Sequence, residues 1–507
     1  EMIVFLQSRQ IGDITYSTPA LINEPEMGFE EWSEAYFNYK IAMRANRTPV
    51  VVVGANDCMF HAFNAYTGRE EWSVVPVGVK DSLLELMSRY DPDTNPTGQT
   101  SIDTLDYMGR YSHTYGVASS PKIVDIDTTY LDLTESWATL AICGLGAGGH
   151  SYFALDVSDT LNPVPRWDTT LNATYDKMGE TWSYPALWQI LQEQHANIPA
   201  TGVPAGIFTS GPSPDTSQGK FLYTIKLTDG SLIEENEPNL SADEFLMGAP
   251  AGILDINQRF MKGAYFCDTG GGVHRYEFEA GTCKVFQTDN ATPILSTPAV
   301  YVDSNRVEWV SFGEMGIENP TNGIYASGST LYTFNVPACS ESKTLMNIAT
   351  LSSNLNTPLP LGGNNGYYYE LPTNEILFTN PLMSRFYYED ADGILNTQTV
   401  SIFVTYVYPE SGDFCGQGNS RMYIFGVQDL FIGDPEGDGD VASEVGAGRP
   451  GNPVRTGITG TVWINTEEGP MRVLPFEDNV DAAVMPIYFP FSGADARKLG
   501  AGAWMTK

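Results

Sequence analysis

A chain of 507 residues with 62 acidic against 27 basic side chains carries a formal charge of -35, which argues against nucleic acid or an anionic membrane surface as partner and reads as a heavily solvated acidic surface. No apolar run approaches the ~20 residues needed to span a bilayer, and the length admits several domains or one large all-β unit. The six cysteines, at 58, 143, 267, 283, 339 and 415, suit an oxidising compartment or buried thiols; none falls in CxxC or CxxCH, so a zinc ribbon, a thioredoxin motif and c-type haem attachment are unsupported.

The chain opens with EMIVFLQSRQ (1–10), neither an initiator methionine nor a signal peptide, and reads as the lead-in of a processed product. IGDITYSTPALI (11–22) follows, then a stretch of helical periodicity at 28–47. VVVVGANDCMFHAFNAYTGREEW (50–72) reads as a β-branched strand, a turn at Gly54 to Asp57, a strand buried on both faces, and a second turn. In that second turn Asn64 folds its side chain onto its own backbone and Gly68 takes positive φ. Helical periodicity returns in KDSLLELMSRY (80–90), within an insertion extending to 110.

The strand and glycine turn recur. Asn64 to Gly68 is echoed by Lys226 to Gly230, Glu277 to Gly281 and Asn465 to Gly469, and related strands end near Asp156, Thr333 and Gly426, giving seven outer-strand signals. In phase with them, a small residue, any residue and a proline open an apolar segment at Pro19, Pro121, Pro185, Pro250, Pro298, Pro381 and Pro453. Proline is tolerated as a strand's first residue, where no ladder hydrogen bond is needed. Units of about four short strands that cannot bury their own faces must stack, and radial stacking gives a β-propeller. The expected fold is all-β: one seven-bladed, modified β-propeller domain over 1–507, with helical insertions at 28–47 and 80–110, further loop insertions, and a C-terminal extension at 470–507. Trp72 and Trp167 are expected to pack between blades. The last unit, Pro453 to Gly469, is short, so the segment at 11–22 is expected to help close the ring.

Chemistry is sparse. GLGAGGHSYFALDV (144–157) holds G-x-G-x-x-G at Gly144, Gly146 and Gly149, but these glycines lead into a strand rather than the helix a dinucleotide site requires, so they form a wide turn. His61, His113, His150, His195 and His274 are scattered without a partner at i+2 to i+4, and no G-x-S-x-G or H-E-x-x-H appears. No catalytic residue is assigned. Two acidic segments are candidates for calcium, a cation that takes hard oxygen ligands. DINQRFMKG offers Asp255 and Asn257, with Arg259 at the next alternate position; DPEGDGDVASE offers Asp434, Glu436, Asp438 and Asp440, but Val445 stands at the twelfth place. NNGYYYELP and SRFYYED are expected to expose tyrosines at 367–369 and 387–388, a residue type enriched at binding surfaces. Residues 28–47 and 355–380 are taken as non-repeating insertions that could be removed with the fold intact.

These residues together resemble the C-terminal β-propeller of PilY-type (PilC-type) proteins, the type IV pilus tip adhesins and biogenesis factors. The resemblance runs through IGDITYSTPALI, the blade segment at 50–72, SHTYGVASSPKIVD (112–125), GAGGHSYFALDVSD (146–159) and ILDINQRFMKGAYFCDTGGGVHRYEF (253–278). It covers about residues 11 to 300. Cys58 stands where the family usually has glycine, Ala118 where aspartate is typical, and the calcium loop at Asp255 and Asn257 is degraded. The resemblance implies a secreted, non-enzymatic surface protein, exported through the periplasm, that binds minor pilins or other pilus subunits, or a host or surface ligand. No firm cofactor follows beyond the calcium candidates. The family's N-terminal von Willebrand A-like region has no counterpart here, since neither D-x-S-x-S nor RGD occurs. Two other readings stay open: an extracellular scaffold or glycan-binding propeller unrelated to pili, and a PQQ-type quinoprotein, whose expected vicinal cysteine pair is missing.

Overall fold

The computed structural model describes residues 11–89, 114–128, 136–190, 202–254, 260–314, 329–349, 359–389, 395–409, 418–430, 432, 441–447, 454–456, 461–466 and 469–473, apart from positions 26, 28, 30–32, 279, 290–291, 338 and 341. Two compact units divide the chain: residues 1–264 with 276–282, and residues 265–275 with 283–507.

The first unit is built from antiparallel sheets whose strands follow chain order. The first sheet joins β1 (Ala20–Ile22), β2 (Val50–Gly54), β3 (Phe60–Asn64) and β4 (Glu70–Val74). The second joins β5 (Lys122–Asp127), β6 (Trp137–Gly144), β7 (Tyr152–Asp156) and β8 (Val164–Asp168). The third joins β9 (Ala186–Ile190), β10 (Val203–Thr209), β11 (Leu222–Lys226) and β12 (Leu232–Asn236). A fourth sheet, through which the division between units passes, joins β13 (Ala251–Leu254), β14 (Met261–Cys267), β15 (Gly272–Glu277) and β16 (Gly281–Gln287).

In the second unit, β17 (Ala299–Val302), β18 (Glu308–Gly313), β19 (Thr330–Asn335), β20 (Leu345–Asn347), β21 (Leu359–Pro360), β22 (Gly366–Glu370) and β23 (Glu375–Leu377) come first. They are followed by β24 (Leu382–Glu389), β25 (Leu395–Val407), β26 (Asn419–Gly426), β27 (Asp429–Leu430), β28 (Ser443–Ala447), β29 (Val454–Thr456), β30 (Thr461–Thr466) and β31 (Gly469–Val473). Here the order is less regular. One sheet runs β17-β18-β19-β22-β20, another β23-β25-β26-β28 with β24 also on β25, a third has only β29-β30-β31, and β21 pairs with β27. β20 joins β22 in parallel, Leu345 opposite Gly366.

All seven expected prolines directly precede a strand: β1, β5, β9, β13, β17, β24 and β29. The glycine turns also form as expected, with φ of 68° at Gly68, 71° at Gly230 and 79° at Gly281. Asn64 Oδ1 accepts from the Tyr66 and Thr67 amides, and Gly68 N–H donates to Asn64 O at 2.8 Å. One expectation is corrected: the strands before these turns are not outer. β3, β7, β11 and β15 are each the third of four. They are buried along most of their length and so need a neighbour on both edges, while the strand after the turn, such as β4, is largely exposed. The segment at 11–22 adds β1 to β2 in the first sheet, Leu21 opposite Val51.

Two apolar clusters hold the first unit together. One joins the first sheet to the second through Val52, Phe60, Ala62, Cys143, Phe153 and Leu155. The other joins the second to the third through Tyr152, Trp167, Phe208, Tyr223 and Ile225. Burying one such side chain contributes about 1.5–3 kcal/mol. Trp72 Nε1 donates to Thr160 O at 2.7 Å and Trp167 Nε1 to Leu227 O at 2.7 Å, so each tryptophan bridges from its own sheet to the next, as expected. In the second unit a corresponding cluster includes Trp309, Leu331, Tyr367, Phe403, Tyr423 and Phe425.

Each helical insertion carries a helix, α1 (Glu34–Asn46) and α2 (Lys80–Arg89), while residues 90–110 of the second lie outside the described residues. The segment 355–380, expected to be a removable insertion, instead carries β22 and β23. Tyr367 is 1% exposed and Glu375 fully buried, so excising it would open the core. Cys283 and Cys339 form a disulfide across 56 residues, while Cys58, Cys143 and Cys267 are buried free thiols; Cys415 lies outside the described residues. No helix among the described residues is long and apolar enough to cross a membrane.

Candidate functional site

The calcium candidates Asp255, Asn257, Asp434, Glu436, Asp438 and Asp440 all lie outside the described residues, as do His113 and His195. Among the described residues, no group of three or more His, Cys, Asp or Glu is placed to hold a metal. The tyrosine expectation is corrected in part. Tyr367 is core, its ring 5.9 Å from that of Phe425, because β22 is an interior strand with neighbours on both edges; Tyr369 is half-buried against Tyr423 and Phe425. The side chains of Tyr387 and Tyr388 are outside the described set.

The G-x-G-x-x-G segment joins β6 to β7 and opens no helix, as the sequence implies. Its glycines serve close backbone packing. A Cβ on Gly148 would meet Gly116 O at 1.7 Å, and one on Gly144 would meet Thr181 O at 2.3 Å.

Two histidines belong to buried knots that the sequence reading missed. In the β2–β3 turn, Asp57 accepts from the amides of Gly12 (2.8 Å) and Met59 (3.1 Å) and meets His61 Nε2 at 3.1 Å. His61 Nδ1 meets Glu70 Oε1 at 2.7 Å. A ring facing a carboxylate at each nitrogen is best satisfied doubly protonated. Burial pulls the His61 pKa down, but the hydrogen bonds and charges of Asp57 and Glu70 together lift it above its ordinary 6.5. In the β14–β15 turn, Asp268 accepts from the Gly270 and Gly272 amides, each at 2.8 Å, and meets His274 Nε2 at 2.6 Å. Burial would raise the Asp268 carboxyl, yet the bond and charge of His274 and the Gly272 amide hold it below the usual 3.8. The signal was present as an aspartate in a turn and a histidine in the next strand, but at unequal spacing. Cys58, beside Asp57, is no activated nucleophile: burial and the nearby carboxylates of Asp57 and Glu85 push its thiol up to about 12.

The first insertion is locked down by polar contacts. Ser33 caps α1 through the Tyr36 amide, Tyr36 OH donates to Asp125 at 2.7 Å, and Arg47 donates to Asn23 O, Ser158 O and Thr139 Oγ1. Tyr36 is fully buried and Phe29 nearly so, whereas Phe37 and Ile41, one turn apart, are 49% and 53% exposed. The helix is therefore fixed on one side and presents an apolar edge on the other.

A cleft of about 450 Å³ lies where the start of α2 meets the loops flanking β7 and β8, lined among others by Asp81, Ser82, His150, Ser151, Thr170 and Asp176.

A family model described as the PilY1 beta-propeller domain matches residues 11–313. A type IV pilus biogenesis factor PilY1 homolog from Xylella fastidiosa is 28% identical over 325 residues, covering 61% of this chain and 23% of that protein. The type IV pilus biogenesis factor PilY1 of Pseudomonas aeruginosa strain UCBPP-PA14 is 28% identical over 285 residues, covering 54% of this chain and 21% of that protein. The chain thus spans less than a quarter of the length of these relatives. The crystal structure of the Pseudomonas aeruginosa PilY1 C-terminal domain matches in fold, with a TM-score of 0.61 at 17% identity over 90% of this chain and 99% of that one. The family model covers well over half of the chain and takes in the glycine turns at Gly68, Gly230 and Gly281, the proline-led strands β1, β5, β9, β13 and β17, and both knots, so this all-β, propeller-type chain belongs to the PilY1 β-propeller domain family.

Proposed function

We propose that this chain is a non-enzymatic, exported surface component of a type IV pilus system, acting in pilus biogenesis or tip adhesion and binding a filament subunit. The observation that carries this reading is the family match over residues 11–313, with relatives named as pilus biogenesis factors. An extracytoplasmic location is supported by the Cys283–Cys339 disulfide, since such bonds persist in oxidising compartments. The contact surface in this reading is the apolar edge of α1, where Phe37 and Ile41 stand exposed on a helix fixed from beneath. Deleting 28–47 would also remove buried Phe29 and Tyr36, so the clean test is Phe37→Glu with Ile41→Glu. Pull-down of minor pilins by the folded variant should fall at least tenfold, and unchanged capture would rule this edge out.

Calcium plays no part in this reading of the Asp255 loop. One carboxylate and one amide, with Arg259 at the next alternate place, are too few oxygens for a cation that takes six to eight. Calorimetric titration should find no tight site that Asp255→Ala abolishes; weak binding, if any, should respond to Asp438→Ala.

A further inference from the structure

Within the second unit lies a pocket of about 370 Å³ that neither the repeat nor the pilus reading accounts for, lined among others by Arg275, Arg306, Val307, Glu308, Pro337 and Cys339. Its two arginines differ. Arg275 is committed, since its Nε and Nη2 donate to Glu308 at 2.7 and 2.9 Å and Tyr265 OH donates to the same carboxylate. Arg306 is exposed, and its guanidinium has no hydrogen-bond or salt-bridge partner among the described residues. With 62 acidic residues against 27 basic ones in the chain, that is not for want of carboxylates.

The backbone at Arg306 is the second observation. Its φ is 66°, in the left-handed region where a Cβ clashes and glycine does not. The turn from β17 to β18 imposes that angle. Arg306 N–H donates to Asp303 O at 2.9 Å, while the buried Asp303 carboxylate accepts from the Asn305 and Val307 amides and from Gln428 Nε2. At other turns of this hand the chain uses glycine, as at Gly68, Gly230 and Gly281. An arginine kept at a strained turn position, with no partner inside the molecule to hold it there, points to a task at the surface.

The lining selects among ligand chemistries. One guanidinium offers a planar fork of donors that fits one carboxylate through two parallel bonds. A phosphate or sulfate dianion calls for a second unmatched cation, and the other lining arginine is already matched by Glu308. Apolar surface stands open beside Arg306: Pro337 and Cys339 are exposed and Val307 partly so, and the disulfide to Cys283 fixes that wall. The volume falls in the roughly 300–1,000 Å³ range of small-molecule sites. The chain's distant carboxylates are screened beyond about 8 Å at physiological ionic strength, so the local guanidinium decides. We propose that this pocket binds a carboxylate carried on a small apolar group, either a free acid or the C-terminal residue of a peptide. The proposal stands independently of any role in pilus assembly.

Saturation-transfer NMR at millimolar ligand tests it with isovalerate, with an N-acetylated dipeptide ending in a leucine carboxylate, and with the same dipeptide as its C-terminal amide. At least one of the two carboxylates should bind, and the amide at least tenfold more weakly. Binding of the dipeptide alone assigns the site to chain termini, binding of isovalerate alone to free acids, and either supports the proposal. Arg306→Gly suits the left-handed turn, so it should abolish binding while leaving the melting temperature unchanged or higher. Arg306→Lys keeps the charge without the fork and should weaken binding several-fold. Silence from both carboxylates, equal binding of the amide, or binding that survives Arg306→Gly would overturn the proposal.

Discussion

The β2–β3 and β14–β15 turns solve one problem with different parts. Each buries an aspartate that gathers two backbone amides and a histidine ring. At β14–β15 the amides come from the turn itself, through Gly270 and Gly272, and the ring stacks on Phe266 with centroids 5.1 Å apart. At β2–β3 one amide comes from Gly12, 45 residues earlier, and the ring's second nitrogen holds the half-exposed Glu70. The later knot is a turn lock whose carboxylate draws only on its own turn and the next strand, while the turn's carbonyls also accept from the Gln287 side chain and the Thr288 and Ile294 amides. The earlier one is a clasp that also fastens the lead-in segment, where Asn56 further binds the Asp13 carboxylate and Gly54 the Ser17 hydroxyl. The difference teaches that an Asp–His pair inside a sheet need not be catalytic: what it stabilises depends on which amides share the carboxylate.

The largest effect should come from the β14–β15 knot. Asp268→Ala strips a nearly fully buried pair of its anion and leaves two turn amides and His274 without an acceptor. Breaking such a pair costs about 3–5 kcal/mol, readable as a lower denaturation midpoint. Asp57→Ala should cost less, about 1–3 kcal/mol, because His61 keeps Glu70. That variant should instead show faster proteolysis within residues 11–18. Equal losses in the two variants, with no change in cleavage, would erase the distinction between lock and clasp.

The knots should also respond to pH from opposite sides. The His61 pKa is raised on folding, so its contribution is complete below about 6.5 and is lost as pH rises through the higher folded value. The Asp268 pKa is depressed, so its contribution is present above 3.8 and is lost as pH falls through the lower folded value. Glu70→Gln should flatten the alkaline limb of a stability profile and Asp268→Asn the acid limb; one variant flattening both would show that the two sites are not separable. The smallest effect is expected at Cys58. It takes φ of 70° in the clasp, whereas the lock puts Gly271 at 83°. Cys58→Gly relieves about 1–2 kcal/mol of left-handed strain but gives up a fully buried side chain worth a similar amount, so the midpoint should barely move.

Much of this architecture is written in local signals. A proline lacks the amide hydrogen a ladder needs and is well tolerated at the start of a strand, and a glycine readily takes the positive φ of a turn, so the prolines from Pro19 to Pro453 and Gly68, Gly230 and Gly281 mark the repeat. What escaped was non-local. The strands before the glycine turns read as outer until the sheet order places each third of four, between two neighbours. Tyr367 reads as a surface tyrosine until β22 is seen between β19 and β20. The parallel pairing of β20 leaves no period in the sequence, and the clasp needs Gly12 brought to Asp57, which no spacing rule states. The cleft is likewise assembled from three separate stretches, around residues 78–82, 148–151 and 169–178.

The chain-ordered sheets of the first unit carry a kinetic consequence. Every strand there pairs with the strand made just before or after it, so each sheet has low contact order and pays little loop-closure entropy. A chain emerging from one end can complete β1 to β4 before β5 exists, and each finished sheet offers an apolar face on which the next condenses. The second unit departs from this sequence, because β19 reaches β22 across intervening strands and β21 waits for β27, about 70 residues later in the chain. Its assembly is therefore the slower step, and its unpaired intermediates are the ones most exposed to aggregation.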